Sequence, residues 1–320
     1  MVLWLAVAVA GSFAVPAALD GRSHQVALVV GIESWIVWVV TWVALLVPRA
    51  TTLTIARLGV PTAVVAAAVT LATGAPATSG TAFVVVAALA LAALVHGSTI
   101  DAFVDGSSYG PEQRFALRVP PLLAISAVPV TWLVATSILA VPVLAAARLP
   151  VPALAVLVVW GVGVRPALRS LQLLARRWVV FVPAGLVLSD PLVLADVILL
   201  PRRDVDALGP AFTGTDATDL TQGALGLTLQ ADLDEPFGIG LRQGRNAPPR
   251  ELATDRILFA VCRPGALLEA AVTHRLAVGE TLVDAGAPSC LGGLQHAAAA
   301  GDADEPTQTA VPLPRTRSPR

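Results

Sequence analysis

VPPLLAISAVPVTWLVATSILAVPVLAAARLPVPALAVLVVWGVGV, residues 119–164, is a run of 46 positions with a single charge, Arg148. A bilayer core about 30 Å thick takes roughly 20 apolar residues per helix, so the run is too long for one span. It suits two, 119–147 and 149–164, joined at the tight turn Arg148-Leu149-Pro150. Toward the N-terminus four more stretches have the same character: 2–19, 26–47, 58–75 and 81–96. Six transmembrane helices are therefore expected within a bundle covering residues 1–168.

Composition points the same way. Of the 320 residues 56% are hydrophobic and 13% charged, against about 25% charged in an average soluble domain; mean hydropathy is +0.76. A water-soluble globule of this size needs more polar surface than that. Two cysteines, Cys262 and Cys290, exclude a disulfide-stapled scaffold. The first stretch has a rival reading as a secretory signal peptide, with VPAALDG (15–21) as a cleavage region. It begins MVLW, without the positive start such peptides carry.

Charge divides along the chain. Residues 1–177 hold ten Arg against five acids, and residues 178–320 hold eleven Arg against seventeen. The acidic second part excludes nucleic-acid binding through a broad basic face. With six spans and the N-terminus inside, the inner loops hold Arg49, Arg57, Arg114, Arg118, Arg165, Arg169, Arg176 and Arg177, and the outer loops only Arg22 and Arg148. Cytoplasmic loops collect arginine, so the N-terminus and the C-terminal part are both expected in the cytoplasm of a multi-pass cell-membrane protein, with the cysteines reduced.

At Arg176 the pattern changes. WVVFVPAGLVLSDPLVLADVILL (178–200) breaks β-branched and aromatic runs with PAG and SDP, which reads as strands joined by turns. Further strands are expected at 224–230, 237–241 and 256–261. Then CRPGALLEAAVTHRL (262–276) repeats Leu268, Ala271, Val272 and Leu276 at helical spacing behind an initial proline. Residues 176–296 thus form a small β-rich cytoplasmic domain, a barrel or folded sheet closed by one helix. The remainder, 297–320, has little to bury and is expected to be disordered.

RRWVVFVPAGLVLSDPLVLADVILLPRRDV (176–205), followed by strands and RPGALLEAAVTHRL (263–276), resembles bacterial PH-like domains. Together with DGSSYG (105–110), the stretch 178–196 also resembles a group of actinobacterial multi-pass membrane proteins. The first resemblance implies a PH-like barrel with a C-terminal helix. The second implies topology and no activity. The first strand turn, Pro183-Ala184-Gly185, lacks the cations with which PH domains bind phosphoinositides.

Few residues offer chemistry. Glu33 is the one acid deep inside a span, and a charge there costs about 2.5–3.5 kcal/mol on insertion scales. It reads either as a proton or cation relay or as a carboxyl bonded to a neighbouring helix. Trp35, Trp38 and Trp42 lie on the opposite helix face. His96, Asp101 and Asp105 sit at the inner end of the fourth span; Asp101 and Asp105, four apart, would share a helix face and hold Mg²⁺, or belong to a solvated loop. Arg165, Arg169, Arg176 and Arg177 set topology, clamp lipid headgroups, or both. No nucleophile elbow, Walker loop, HExxH or CxxC occurs. No catalytic residue, metal or cofactor is expected. The partners expected are the lipid bilayer and a cytoplasmic or membrane protein. The function expected is a membrane-anchored scaffold or regulatory protein, with a transporter using Glu33 and, behind it, an inner-face enzyme as alternatives.

Overall fold

The structure is a computed structural model that describes residues 1–212, 214–244 and 247–279. Seven helices come first: α1 (Val2–Ala18), α2 (His24–Leu46), α3 (Ala50–Ala72), α4 (Ala77–Val95), α5 (Gly97–Asp105), α6 (Pro121–Ala146) and α7 (Pro150–Ala175). A short strand, β1 (Gln113–Ala116), lies between α5 and α6. After α7 follow β2 (Trp178–Val182), β3 (Gly185–Ser189), β4 (Ile198–Pro201), β5 (Val205–Pro210), β6 (Thr218–Asp219), β7 (Leu229–Leu241), β8 (Arg250–Phe259) and α8 (Pro264–Thr273).

Five helices, α2, α3, α4, α6 and α7, are long and apolar enough to cross a membrane. Apolar α1 has 17 residues, about 26 Å at 1.5 Å per residue. Of the six stretches expected to span, five are helices of spanning length and the first is a shorter apolar helix. Two boundaries move inward. α3 begins eight residues before the expected start because Thr52 closes a capping box with Arg49, so Arg57 lies within a helix rather than a loop. α7 runs on through Arg165 and Arg169 to Ala175.

α3 is the hub of the bundle, touching α1, α2, α4, α6 and α7. Its small residues allow this, as close helix approach in an apolar medium requires. Gly59 sits so close to Thr41 of α2 that a β-carbon there would collide with the Thr41 hydroxyl. α1 joins α2 through a reciprocal pair: Trp4 Nε1–H donates to Trp38 O at 3.1 Å and Trp38 Nε1–H to Trp4 O at 3.0 Å.

The β-domain has two four-stranded sheets, ordered β1-β2-β3-β4 and β5-β7-β8-β6. No barrel closes. Among the described residues the ladder between the sheets is limited to isolated bridges, Leu117↔Val261 and Leu194↔Leu241, too few to carry a continuous ladder around. One core fills the space between them: Phe115 and Leu117 join Val179, Phe181, Leu186, Leu188, Leu229, Ile257 and Phe259, with Leu267, Ala270 and Ala271 of α8. The inward face of α8 is turned slightly from the expected one, and Val272 is exposed.

The chief departure from expectation is β1. Gln113–Ala116 pairs antiparallel with β2, Gln113 opposite Phe181 and Ala116 opposite Trp178. The domain expected to begin at residue 176 therefore takes an edge strand and two core side chains from the connection between α5 and α6. The reason is local: Phe115 and Leu117 alternate with Arg114 and Arg118, the period-2 pattern of a half-buried strand. The expected strand at 224–230 starts only at Leu229, because Gln222, Gly223 and Gly226 adopt positive φ and form a turn. The expected tail 297–320, Cys290 and the end of the domain at 296 lie outside the described residues.

Candidate functional site

Two places gather the predicted residues. The first is in the bundle. At the end away from the β-domain, α1, α2, α3 and α6 enclose a cavity of about 630 Å³ walled by residues such as Val26, Val30, Val69, Leu139 and Val143, with Glu33 on its side and Arg22 at its rim. A second cavity of about 360 Å³ shares Val15, Ser34, Ala66 and Leu139 with it and reaches Trp4, Trp35, Trp38 and Phe83. Glu33 Oε2 is buried, with no hydrogen-bond partner among the described residues. Trp35 meets Trp38 edge-on at 5.6 Å, and Trp38 stacks on Trp42 at 5.4 Å.

The second place is the junction between bundle and β-domain. Here α5 forms where a solvated inner loop was one reading, and it positions both aspartates. Asp101 Oδ1 accepts from Ala116 N at 2.9 Å and Asp105 Oδ1 from Arg114 N at 2.8 Å. The match is geometric. Four residues of helix rise about 6 Å, close to the roughly 6.6 Å between alternate residues of a strand. Alternate amides of β1 point away from β2, and a strand edge left open there would invite foreign pairing. The two carboxylates block the amides of Arg114 and Ala116, and Ala260 O takes the next, Arg118 N, at 2.8 Å. Both aspartates thus have structural work. His96 does not join them: its Nδ1 caps α5 through Ser98. Among the described residues no group of three or more His, Cys, Asp or Glu is placed to hold a metal ion.

Burial raises the Asp101 pKa above the ordinary carboxylate value, with its hydrogen bond from Ala116 and the Arg263 guanidinium 4.0 Å away working against the rise. A folded-state pKa above the unfolded one makes Asp101 cost stability progressively as pH rises through that interval. Asp101→Asn, which keeps an acceptor for Ala116 N, should therefore be at least as stable as the parent at pH 7. Its advantage should vanish below the ordinary carboxylate pKa. Asp101→Ala leaves the amide orphaned and should lose about 1–3 kcal/mol. Thermal melts of the three proteins in detergent across pH test this ordering; an Asn variant as damaged as the Ala variant would contradict it.

Cys262 lies in the same cluster, its thiol donating to Leu117 O at 3.8 Å. Burial, then the nearby Asp101 charge, pushes its pKa up to about 11. The thiolate is the reactive form, so Cys262 should stay unalkylated by iodoacetamide at pH 8 in the folded chain. Peptide mass spectrometry reads this directly, and modification at the rate of a free cysteine would contradict it.

Arg177 points inward, away from any headgroup. Its Nε and Nη2 grip the two Asp190 oxygens at 2.9 and 2.7 Å, and Nη1 donates to Arg118 O at 2.7 Å. Both side chains of the pair are nearly inaccessible, at 2% and 1% exposed. Arg165, Arg169 and Arg176 are exposed along one stripe of the last turns of α7 and its end. Sequence reasoning missed Asp190 and Arg118. Asp190 looked like turn punctuation in SDP, and the buried arginine three residues before Val180 gives it a charged partner. No protein-family model matches the chain, and no curated protein or solved structure is detectably similar to it.

Proposed function

We propose that the chain is a multi-pass cell-membrane protein of regulatory or scaffolding type, acting through protein contacts of a cytoplasmic β-domain rather than by catalysis. One observation carries the reading. β1 comes from the connection between two bundle helices yet is an edge strand of the domain, so helix movement in the bundle has a direct path into the sheet. Two more contacts tighten this path: Gly106, at the end of α5, lies against the Pro48 carbonyl between α2 and α3, and Arg177 ties the end of α7 to Asp190. The arginine bias supports a cytoplasmic position for this face. The strand run closed by α8 is in keeping with a PH-like layout in an open form. The opposite edge of the first sheet, β4, offers Leu199, and Val197 just before the strand, to solvent at 42% and 61% exposure, and an apolar edge strand is a place where another chain can pair.

Full-length protein purified in mild detergent should bring down a stoichiometric partner, and Leu199→Arg should release it while leaving the melt unchanged. Absence of any partner, or one retained equally by the variant, would contradict the reading.

The bundle cavity with Glu33 favours a second reading, transport of a small molecule or ion. Flux into proteoliposomes by the parent and by Glu33→Gln separates the two; flux that depends on Glu33 would favour transport, and no flux would remove it.

A further inference from the structure

We propose that the turn Thr221–Leu227 is a membrane anchor, its Leu225 and Leu227 inserted into the lipid leaflet on the β-domain side, next to the start of α6. The two leucines are exposed at 74% and 47%. They are displayed by a turn that is held in place. Asp219 Oδ1 accepts from Thr221 N at 2.7 Å, and Thr221 Oγ1 accepts from Gly223 N at 3.2 Å. Gly226, at φ +108°, a conformation that disfavours other residues, lies against the Arg118 guanidinium, which a β-carbon there would displace. Arg118 Nη1 then donates to Leu225 O at 2.7 Å, while its Nε donates to Val261 O at 2.8 Å.

Arg118 also fixes where this turn lies. Two residues later Pro120 caps α6, a helix of spanning length. Its first turns present Leu122 and Ile125 outward at 79% and 72% exposure. The residue that leads the chain into α6 is therefore the one that holds the turn, which places the exposed leucines beside the entry to that helix and its outward apolar side chains. An arginine at this depth suits the headgroup region, its stem apolar and its guanidinium polar. Scattered single leucines on a surface need no explanation. A rigid pair beside a membrane entry point does, and hydrocarbon is the occupant this placement selects.

The test uses the full chain with Cys262→Ala and Cys290→Ala, carrying Leu225→Cys labelled with an environment-sensitive nitrobenzoxadiazole dye, in phosphatidylcholine–phosphatidylglycerol vesicles. Leu227→Cys serves as a second, independent position. Both replaced side chains lie outside the core, and an unchanged melt verifies the fold. Nitroxide attached to the lipid acyl chain should quench both dyes several-fold more strongly than aqueous iodide, with emission shifted to the blue. Quenching by iodide equal to or stronger than that by the acyl-chain nitroxide would overturn the proposal.

Discussion

Asp190→Ala should be among the most damaging single substitutions in the β-domain, lowering its stability by about 3–5 kcal/mol, because it leaves a buried guanidinium without its counter-charge. Three donors of Arg177 are engaged, two of them by Asp190, and Leu192 N also donates to Asp190 Oδ1 at 3.1 Å. Removing the carboxylate thus strands a charge and an amide at once. Replacing both partners by apolar residues of similar volume behaves differently, since desolvating two charges costs nearly what their attraction returns. Arg177→Met with Asp190→Leu should recover most of the loss. Denaturant titration of the full chain in detergent, followed by protease susceptibility of the β-domain, reads all three proteins. A single variant no weaker than the double would contradict the assignment of the pair.

Phe115→Ala should cost a similar amount, about 3–5 kcal/mol as for other large buried aromatics, although residue 115 is outside the C-terminal segment. Phe115 is 3% exposed and meets Phe181 edge-on at 5.9 Å. Phe181 in turn stacks on His274 at 5.1 Å, so the truncation opens a cavity that reaches the end of α8. The loss should register in the protease susceptibility of residues 178–279. A change confined to the connection between α5 and α6 would show that β1 is peripheral to the domain.

Much of the bundle could be read from residue order because lipid imposes one dominant rule: long apolar runs must be helices. The two spans of 119–164 and the turn at Arg148 follow from it directly. The hairpin at Pro183-Ala184-Gly185 was legible on a different ground, its turn residues, and Gly185 there approaches the Leu200 carbonyl too closely for any side chain. What residue order concealed were pairings across long separations. QRFALR alternates as a strand should, but it is short and lies between two helices, and only its partner 60-odd positions later gives it a sheet. Asp101 and Asp105 stand on one helix and accept from two strand amides, partners that neither the Mg²⁺ reading nor the solvated-loop reading supplied. Arg177 read as one of four topology-setting arginines, and burial separates it from the other three. Glu33 stood out as costly in a span, and it lines a cavity with its buried Oε2 lacking a hydrogen-bond partner among the described residues.

The central claim is that the connection between the fourth and sixth helices is a working strand of the C-terminal domain, joining bundle and domain into one mechanical unit. Hydrogen–deuterium exchange on the full chain in detergent tests it most directly. The amides of Arg114, Phe115, Ala116, Leu117 and Arg118 should exchange as slowly as those of Val179–Phe181 and Leu186–Leu188 in the same sheet. Exchange as fast as in the neighbouring turn at 107–110 would mean that β1 is not a strand of this domain.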